Sequence, residues 1–188
     1  MFNELNPTKG SLLLSEPFML DPNFERSVVL LCEHDPTEGS VGLILNQRSN
    51  LILSDIIPEI TDDSFQLYIG GPVESNSLFF IHQAYDRILS GTLIKDNLYW
   101  GGDFEYLVEL LKNKKIEPYE IKFFMGYAGW SSEQLNAEIK ENSWAVHNSF
   151  NAELMFLRDG EDLWKQALIS LGPKYAHVAN FPRSPEWN

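Results

Sequence analysis

Apolar residues along this chain fall into short blocks, and the spacing inside each block predicts an element. Residues 27–34, SVVLLCEH, hold five consecutive apolar positions. An uninterrupted run of that length, rich in branched side chains, predicts a central strand buried on both faces. Residues 10–15 (GSLLLS) and 41–46 (VGLILN) predict two more strands, and DPTEG at 35–39 supplies turn chemistry between the second and third. Residues 27–46 therefore read as a hairpin at the heart of a sheet. Further strands are expected at 66–69, 78–83, 119–127 and 143–147. Residues 92–100 read as a hairpin turning at Asp96-Asn97.

Helical spacing is rarer and comes later. Residues 103–115 place Phe104, Leu107, Val108 and Leu111 on one face behind a capping Asp103. Residues 131–141 follow, with Ser131 as cap and Gln134 three residues on as partner in a capping box. Residues 161–171 bring Leu163, Trp164, Ala167, Leu168 and Leu171 together, and Gly172-Pro173 ends the run. Residues 53–60 allow one helical turn before Pro58. Residues 151–157 fit strand or helix. Residues 1–9 and 181–188 read as irregular. Strands first and helices later predict an α+β fold with a mixed sheet and about three main helices, in one domain spanning residues 1–188.

Composition narrows the function. The chain has 188 residues, 44% hydrophobic and 13% aromatic, as expected of a globular protein. Its formal charge of −13 makes direct nucleic-acid binding an unfavourable expectation. The one basic cluster, Lys112, Lys114 and Lys115, suits a solvated helix end. A lone Cys32 excludes an internal disulfide or a paired-cysteine zinc motif. The four histidines are scattered, so no metal and no cofactor are expected. No run is apolar for long enough to cross a bilayer, and the first residues lack a signal-peptide pattern. A cytoplasmic location with no membrane partner follows as an expectation.

Several residues could carry chemistry. The stretch Gly126-Tyr127-Ala128-Gly129-Trp130 reads as a tight crossing from a buried strand into the helix capped by Ser131, with two glycines able to take positive φ or admit a close backbone, and positive φ expected at Gly129 from its place before Trp130. Such a strand–turn–helix junction can present N–H groups to a ligand, and it is also an ordinary way to turn a chain. Gly70-Gly71 and Gly101-Gly102-Asp103 each end a strand. They could present backbone groups to a ligand, or they could be bends where backbones pack closely; neither matches a phosphate-loop fingerprint. Arg26 suits a carboxylate or phosphate ligand, or a structural ion pair. Cys32 and His34 lie two apart on one strand, so a nucleophile and base could share a face there, but a buried inert cysteine is the simpler reading. His34, where the strand leaves the core, is the more interesting of the two.

Five segments in order carry a resemblance. GSLLLSEPFMLDPNFERSVVLLCEHDPTEGSVGLILNQ, then GGPV, GGDFE, FFMGYAGWSSEQLNAEI and Ser143-Trp144 resemble the bacterial AlgH/YqgE family over nearly the whole chain. Two details depart from its pattern. Asn46-Gln47-Arg48 lacks a proline, and Ser131 stands where a glycine commonly follows the tryptophan. The resemblance implies a strongly bent sheet closing on itself like a small barrel. It brings a transcriptional-regulator label that rests on genetics and not on a DNA-binding motif. The expectation is a regulatory or binding module that recognises a small ligand or a protein partner. A small hydrolase-like enzyme and a regulator acting directly on DNA are the alternatives. The candidate ligand-binding residues are Arg26, His34, Gly70, Gly71, Gly101, Gly102, Asp103, Tyr127, Gly129, Trp130 and Ser131.

Overall fold

The apolar block after Arg26 forms a strand with both faces covered, because neither parity of its side chains can face water without loss. Val28, Leu30 and Cys32 point into one apolar cluster and Val29 and Leu31 into another. The computed structural model describes residues 5–183, so part of the irregular lead-in and tail expected at the two ends lies outside the described residues. In chain order the elements are β1 (Leu12–Ser15), a 3-10 turn (Pro22–Phe24), β2 (Val28–Asp35), β3 (Gly39–Ile44), β4 (Arg48–Ile52), α1 (Leu53–Ile56), β5 (Gln66–Ile69), β6 (Val73–His82) and α2 (Tyr85–Ile88). They continue with β7 (Thr92–Lys95), β8 (Leu98–Trp100), α3 (Phe104–Lys112), β9 (Ile121–Trp130), α4 (Ser132–Lys140), β10 (Trp144–His147), α5 (Glu153–Leu157), α6 (Gly160–Ser170) and α7 (Pro173–Val178).

The strands make one mixed sheet in the order β10-β1-β2-β3-β9-β6-β8-β7, antiparallel along this path. β5 adds in parallel to β9, and β4 pairs with β5. The hub is β9. One of its edges holds β6; the other holds β5 along its first half (Leu67↔Phe123 to Ile69↔Met125) and β3 along its second (Gly42↔Ala128 to Ser40↔Trp130). The change of partner falls at Gly126, whose φ of 71° suits a residue without Cβ. Gly70 stitches the junction: its N–H donates to Met125 O at 2.8 Å and its carbonyl accepts from Ile44 N at 2.8 Å. A Cβ at Gly70 would lie 2.2 Å from Gly126 O, so close backbone packing explains this glycine.

The α+β class, the mixed sheet and the three longer helices (α3, α4 and α6) agree with the sequence. The barrel does not. The ladder starts at β10 and ends at β7 with no backbone pairing between them. Side chains span the gap instead: Lys9 Nζ donates to Leu93 O at 2.8 Å, and Lys95 Nζ donates to Asn148 O. Lysines along a sheet edge are a common device for discouraging further strand pairing. The crossing expected over residues 126–130 is also corrected. β9 continues as a strand to Trp130, and Gly126 takes the positive φ, not Gly129.

Three apolar clusters hold the sheet. The largest lies between β1, β2, β3 and α6–α7, centred on Leu14, Leu30, Leu43 and Trp164. A second sits under α1, α2 and α3. A third joins Leu13, Val29 and Ile44 to Trp130, Trp144 and α4. In that third cluster the Glu138 carboxylate oxygen Oε2 accepts from two indoles, Trp130 Nε1 at 2.9 Å and Trp144 Nε1 at 2.7 Å. Within residues 151–157 the helix α5 forms over Glu153–Leu157, and Pro173 opens α7 at its first turn, where a missing N–H costs nothing.

Candidate functional site

The end of β9 borders a cleft of about 640 Å³ that gathers five of the predicted residues: His34, Tyr127, Gly129, Trp130 and Ser131. β2 brings His34, β3 brings Ser40, and β9 brings Tyr127 to Trp130. The β3–β9 register sets Ser40 opposite Trp130. His34 Nδ1 lies 2.8 Å from Ser40 Oγ. Trp130 lines the cleft while its N–H is taken by Glu138. Ser131 caps α4 as expected: its Oγ accepts from Gln134 N at 3.3 Å. The reciprocal half of the capping box is missing, because the Gln134 amide donates forward to Glu138 Oε1 at 2.9 Å. Glu33, Asp35 and Glu38 line the same cleft, against Lys9 and His34. The Asp35 carboxyl is held below its usual range, first by the Thr37 hydroxyl and then by the backbone N–H groups of Thr37 and Glu38. The rim is therefore acidic.

The other candidates lie elsewhere. Gly70-Gly71 packs against the backbone of Gly126 and Tyr127, behind the strand and outside the cleft lining. Gly101-Gly102 borders a separate depression with Phe79, Trp100 and Phe104. Asp103 caps α3 by accepting from Tyr106 N at 3.0 Å. Arg26, at φ 46°, is buried under α6: it pairs with Glu161, donates to Phe181 O at 2.7 Å and lies 5.0 Å over the Trp164 ring. Burial would raise the Glu161 carboxyl, but hydrogen bonds from Arg183 and Lys165 and the charge of Arg26 outweigh it and hold it at about 2. Cys32 is fully buried, and burial pushes its thiol well above the ordinary value. Among the described residues no three His, Cys, Asp or Glu side chains are placed to hold a metal ion, and no helix is long and apolar enough to cross a membrane.

Sequence reasoning missed a second cleft, at the opposite end of β9. It has a volume of about 340 Å³ and is lined by Arg48, Gln66, Tyr68, Tyr119, Lys122 and Phe156, among others. Lys122 is the unusual member. It sits between Ile121 and Phe123 and is only 5% exposed. Its Nζ donates to Met155 O at 2.9 Å and lies 4.0 Å over the Tyr68 ring. Burial pulls its pKa down to about 7; Asp159 opposes that shift and Arg48 adds to it. Asp159 is already engaged by Arg48 Nε and by Tyr68 Oη, which donates to it at 3.0 Å. Burial, with the Asp159 charge, raises the Tyr68 phenol to about 12, so it keeps its proton. The signal was visible as a single lysine inside the apolar run IKFFM, where strand parity puts Lys122 on the face of Phe124.

Together these features describe an α+β protein built on one branched strand, with a polar cleft at each end of that strand. An AlgH-like family model matches residues 12–176. A protein of Cytophaga hutchinsonii known as a UPF0301 protein is 41% identical over 182 residues, covering 96% of this chain and 99% of its own. One from Bacteroides thetaiotaomicron is 44% identical over 188 residues, covering 99% and 94%. The chain belongs to the AlgH-like family of uncharacterised bacterial proteins. The solution structure of AlgH from Pseudomonas aeruginosa superposes with a TM-score of 0.71 at 26% identity, over 96% of this chain and 98% of that one. A crystal structure of protein DIP2367 from Corynebacterium diphtheriae shares the fold, with a TM-score of 0.76 at 24% identity and 95% coverage of both chains.

Proposed function

We propose that this protein is a non-enzymatic binding module whose small ligand sits in the cleft at the end of β9. The supporting observation is convergence: His34, Ser40, Tyr127, Trp130 and Ser131, from three strands and a helix cap, line one concave surface. A cleft of this size with a few placed polar groups suits a small molecule. The rim carboxylates Glu33, Asp35 and Glu38 favour a neutral or cationic ligand, and Tyr127 and Trp130 favour one with a flat apolar part. The test is an NMR titration with a library of amines, amino acids and nucleobases. Saturable shifts centred on Ser40, Tyr127, Trp130 and Ser131, lost in Tyr127→Ala, support the proposal. Binding that perturbs only other surfaces, or a library that leaves these residues unmoved, counts against it.

One observation favours a hydrolase-like second reading. Ser40 Oγ and His34 Nδ1 are 2.8 Å apart, the spacing of a nucleophile and its base. Among the described residues no carboxylate hydrogen-bonds the other ring nitrogen of His34, so the orienting third group of a triad is not in place. A fluorophosphonate probe that labels Ser40 in the native protein but not in His34→Ala would promote this reading over the first. Direct action on DNA has the least support. α4 and its cap carry Glu133, Glu138 and Glu141 against Lys140, and the whole chain has a charge of −13.

A further inference from the structure

The Lys122 cleft is independent of the site above and invites a different chemistry. A lysine at the end of an apolar core normally meets a carboxylate, because a buried ammonium without one is destabilising. Here the carboxylate that acts on it, Asp159, holds Arg48 and Tyr68 through Oδ2, and Lys122 makes no salt bridge among the described residues. Its polar contacts are one backbone carbonyl and the face of a phenol ring. That setting favours the free amine, the form that attacks carbonyl carbon. The cleft gives the amine a chamber, and Arg48, paired with Asp159 through Nε and with its side chain 62% exposed, lines that chamber.

We propose that Lys122 forms a reversible imine with a small carbonyl compound bearing a carboxylate, the amine supplying the covalent bond and Arg48 the counter-charge. The lone pair of Nζ attacks the carbonyl carbon, a C–N bond forms and the C=O π pair moves to oxygen. A proton passes from nitrogen to that oxygen through water, giving a carbinolamine. Loss of one water then leaves C=N. The step needs no oxidant or reductant, and hydrolysis reverses it. With its pKa near 7, Lys122 has roughly a thousandfold more free base at pH 7 than an ordinary lysine, so selectivity for this residue is expected.

The experiment traps the imine. Full-length protein is incubated at pH 7 with glyoxylate and sodium cyanoborohydride, and modified lysines are mapped by peptide mass spectrometry. The expected result is labelling of Lys122 well above solvent-facing lysines such as Lys112 and Lys140. Acetaldehyde, which lacks the carboxylate, is run in parallel with wild type and Arg48→Gln. The proposal expects the ratio of glyoxylate to acetaldehyde labelling at Lys122 to fall severalfold in Arg48→Gln. Labelling of Lys122 at or below the level of the exposed lysines overturns the imine. An unchanged ratio in Arg48→Gln overturns the role of the carboxylate. Neither result bears on the cleft at the other end of β9.

Discussion

At its first residues β9 carries Lys122, an amine walled in by Tyr68 and a backbone carbonyl; at its last it carries Trp130, an indole whose N–H is satisfied by a carboxylate. One polar group is under-partnered and the other is fully served, although the same strand delivers both. The difference comes from what covers each end. α5, five residues long, offers Lys122 only the Met155 carbonyl, and Asp159 turns its Oδ2 to Arg48 and Tyr68. α4, nine residues long, offers Trp130 a glutamate that also holds Trp144. The end with surplus polarity is the better place to look for chemistry, and the satisfied end is the better place to look for shape.

The sharpest way to break this comparison is to break the joint between the two ends. Gly70→Ala should cost more than about 3 kcal/mol in urea unfolding, because its Cβ would meet a backbone oxygen that cannot move without uncoupling β5 from β9. A near-neutral result would mean the two halves of β9 are not held in register by this contact. Next in size, Glu138→Ala strands two indole N–H groups and should cost roughly 2–3 kcal/mol. Glu138→Gln, which keeps an acceptor, should recover part of that.

Lys122 contributes a pH signature. Its folded pKa, about 7, lies below the unfolded value, so between pH 7 and roughly 10 the unfolded chain binds the extra proton. Stability should therefore rise with pH across that window by up to about 1.4 kcal/mol per unit relative to Lys122→Met, and the difference should flatten below pH 7. Parallel pH profiles for the two proteins would show that the amine is not buried as described. The smallest effects belong to the satisfied end. Ser131→Ala should cost about 1 kcal/mol or less, given a single cap bond of 3.3 Å. Gly129→Ala should fall within about 0.5 kcal/mol, since a Cβ there meets nothing closer than 3.5 Å.

Much of the fold was legible because apolar pattern follows burial. β2 is a continuous apolar run covered on both faces, and α3, α4 and α6 bury residues at helical spacing, such as Leu107 with Leu111, Leu135 with Ile139, and Leu163 and Trp164 with Ala167 and Leu168. What was not legible is polar or exposed. β4 (RSNLI) and the first half of β6 (VESN) are sheet strands without an apolar stripe, so only tertiary pairing reveals them. Gly126 and Gly129 look alike in the sequence, but the partner change along β9 selects the first for positive φ. At the candidate site, His34, Tyr127, Trp130 and Ser131 were found because they flank a strand end and a helix cap. Ser40 was missed, since its role depends on the β3–β9 register, and Lys122 was passed over as one more residue of a buried strand.

The branched hub also bears on how the chain is made. β1, β2 and β3 form one paired group, β4 with β5 another, and β6, β7 and β8 a third; among these ladders only β9 joins the three. Residues 121–130 emerge from the ribosome after all of them. At roughly 5–20 residues per second the nascent chain spends several seconds with the inner edges of β3, β5 and β6 unpaired. Those edges are open to other chains until β9 arrives and closes all three together. For this protein, the part of chaperone demand that comes from these three open edges should fall with the emergence of a single ten-residue strand, while the edge of β1 and the apolar face under α6 and α7 wait for residues 144–178.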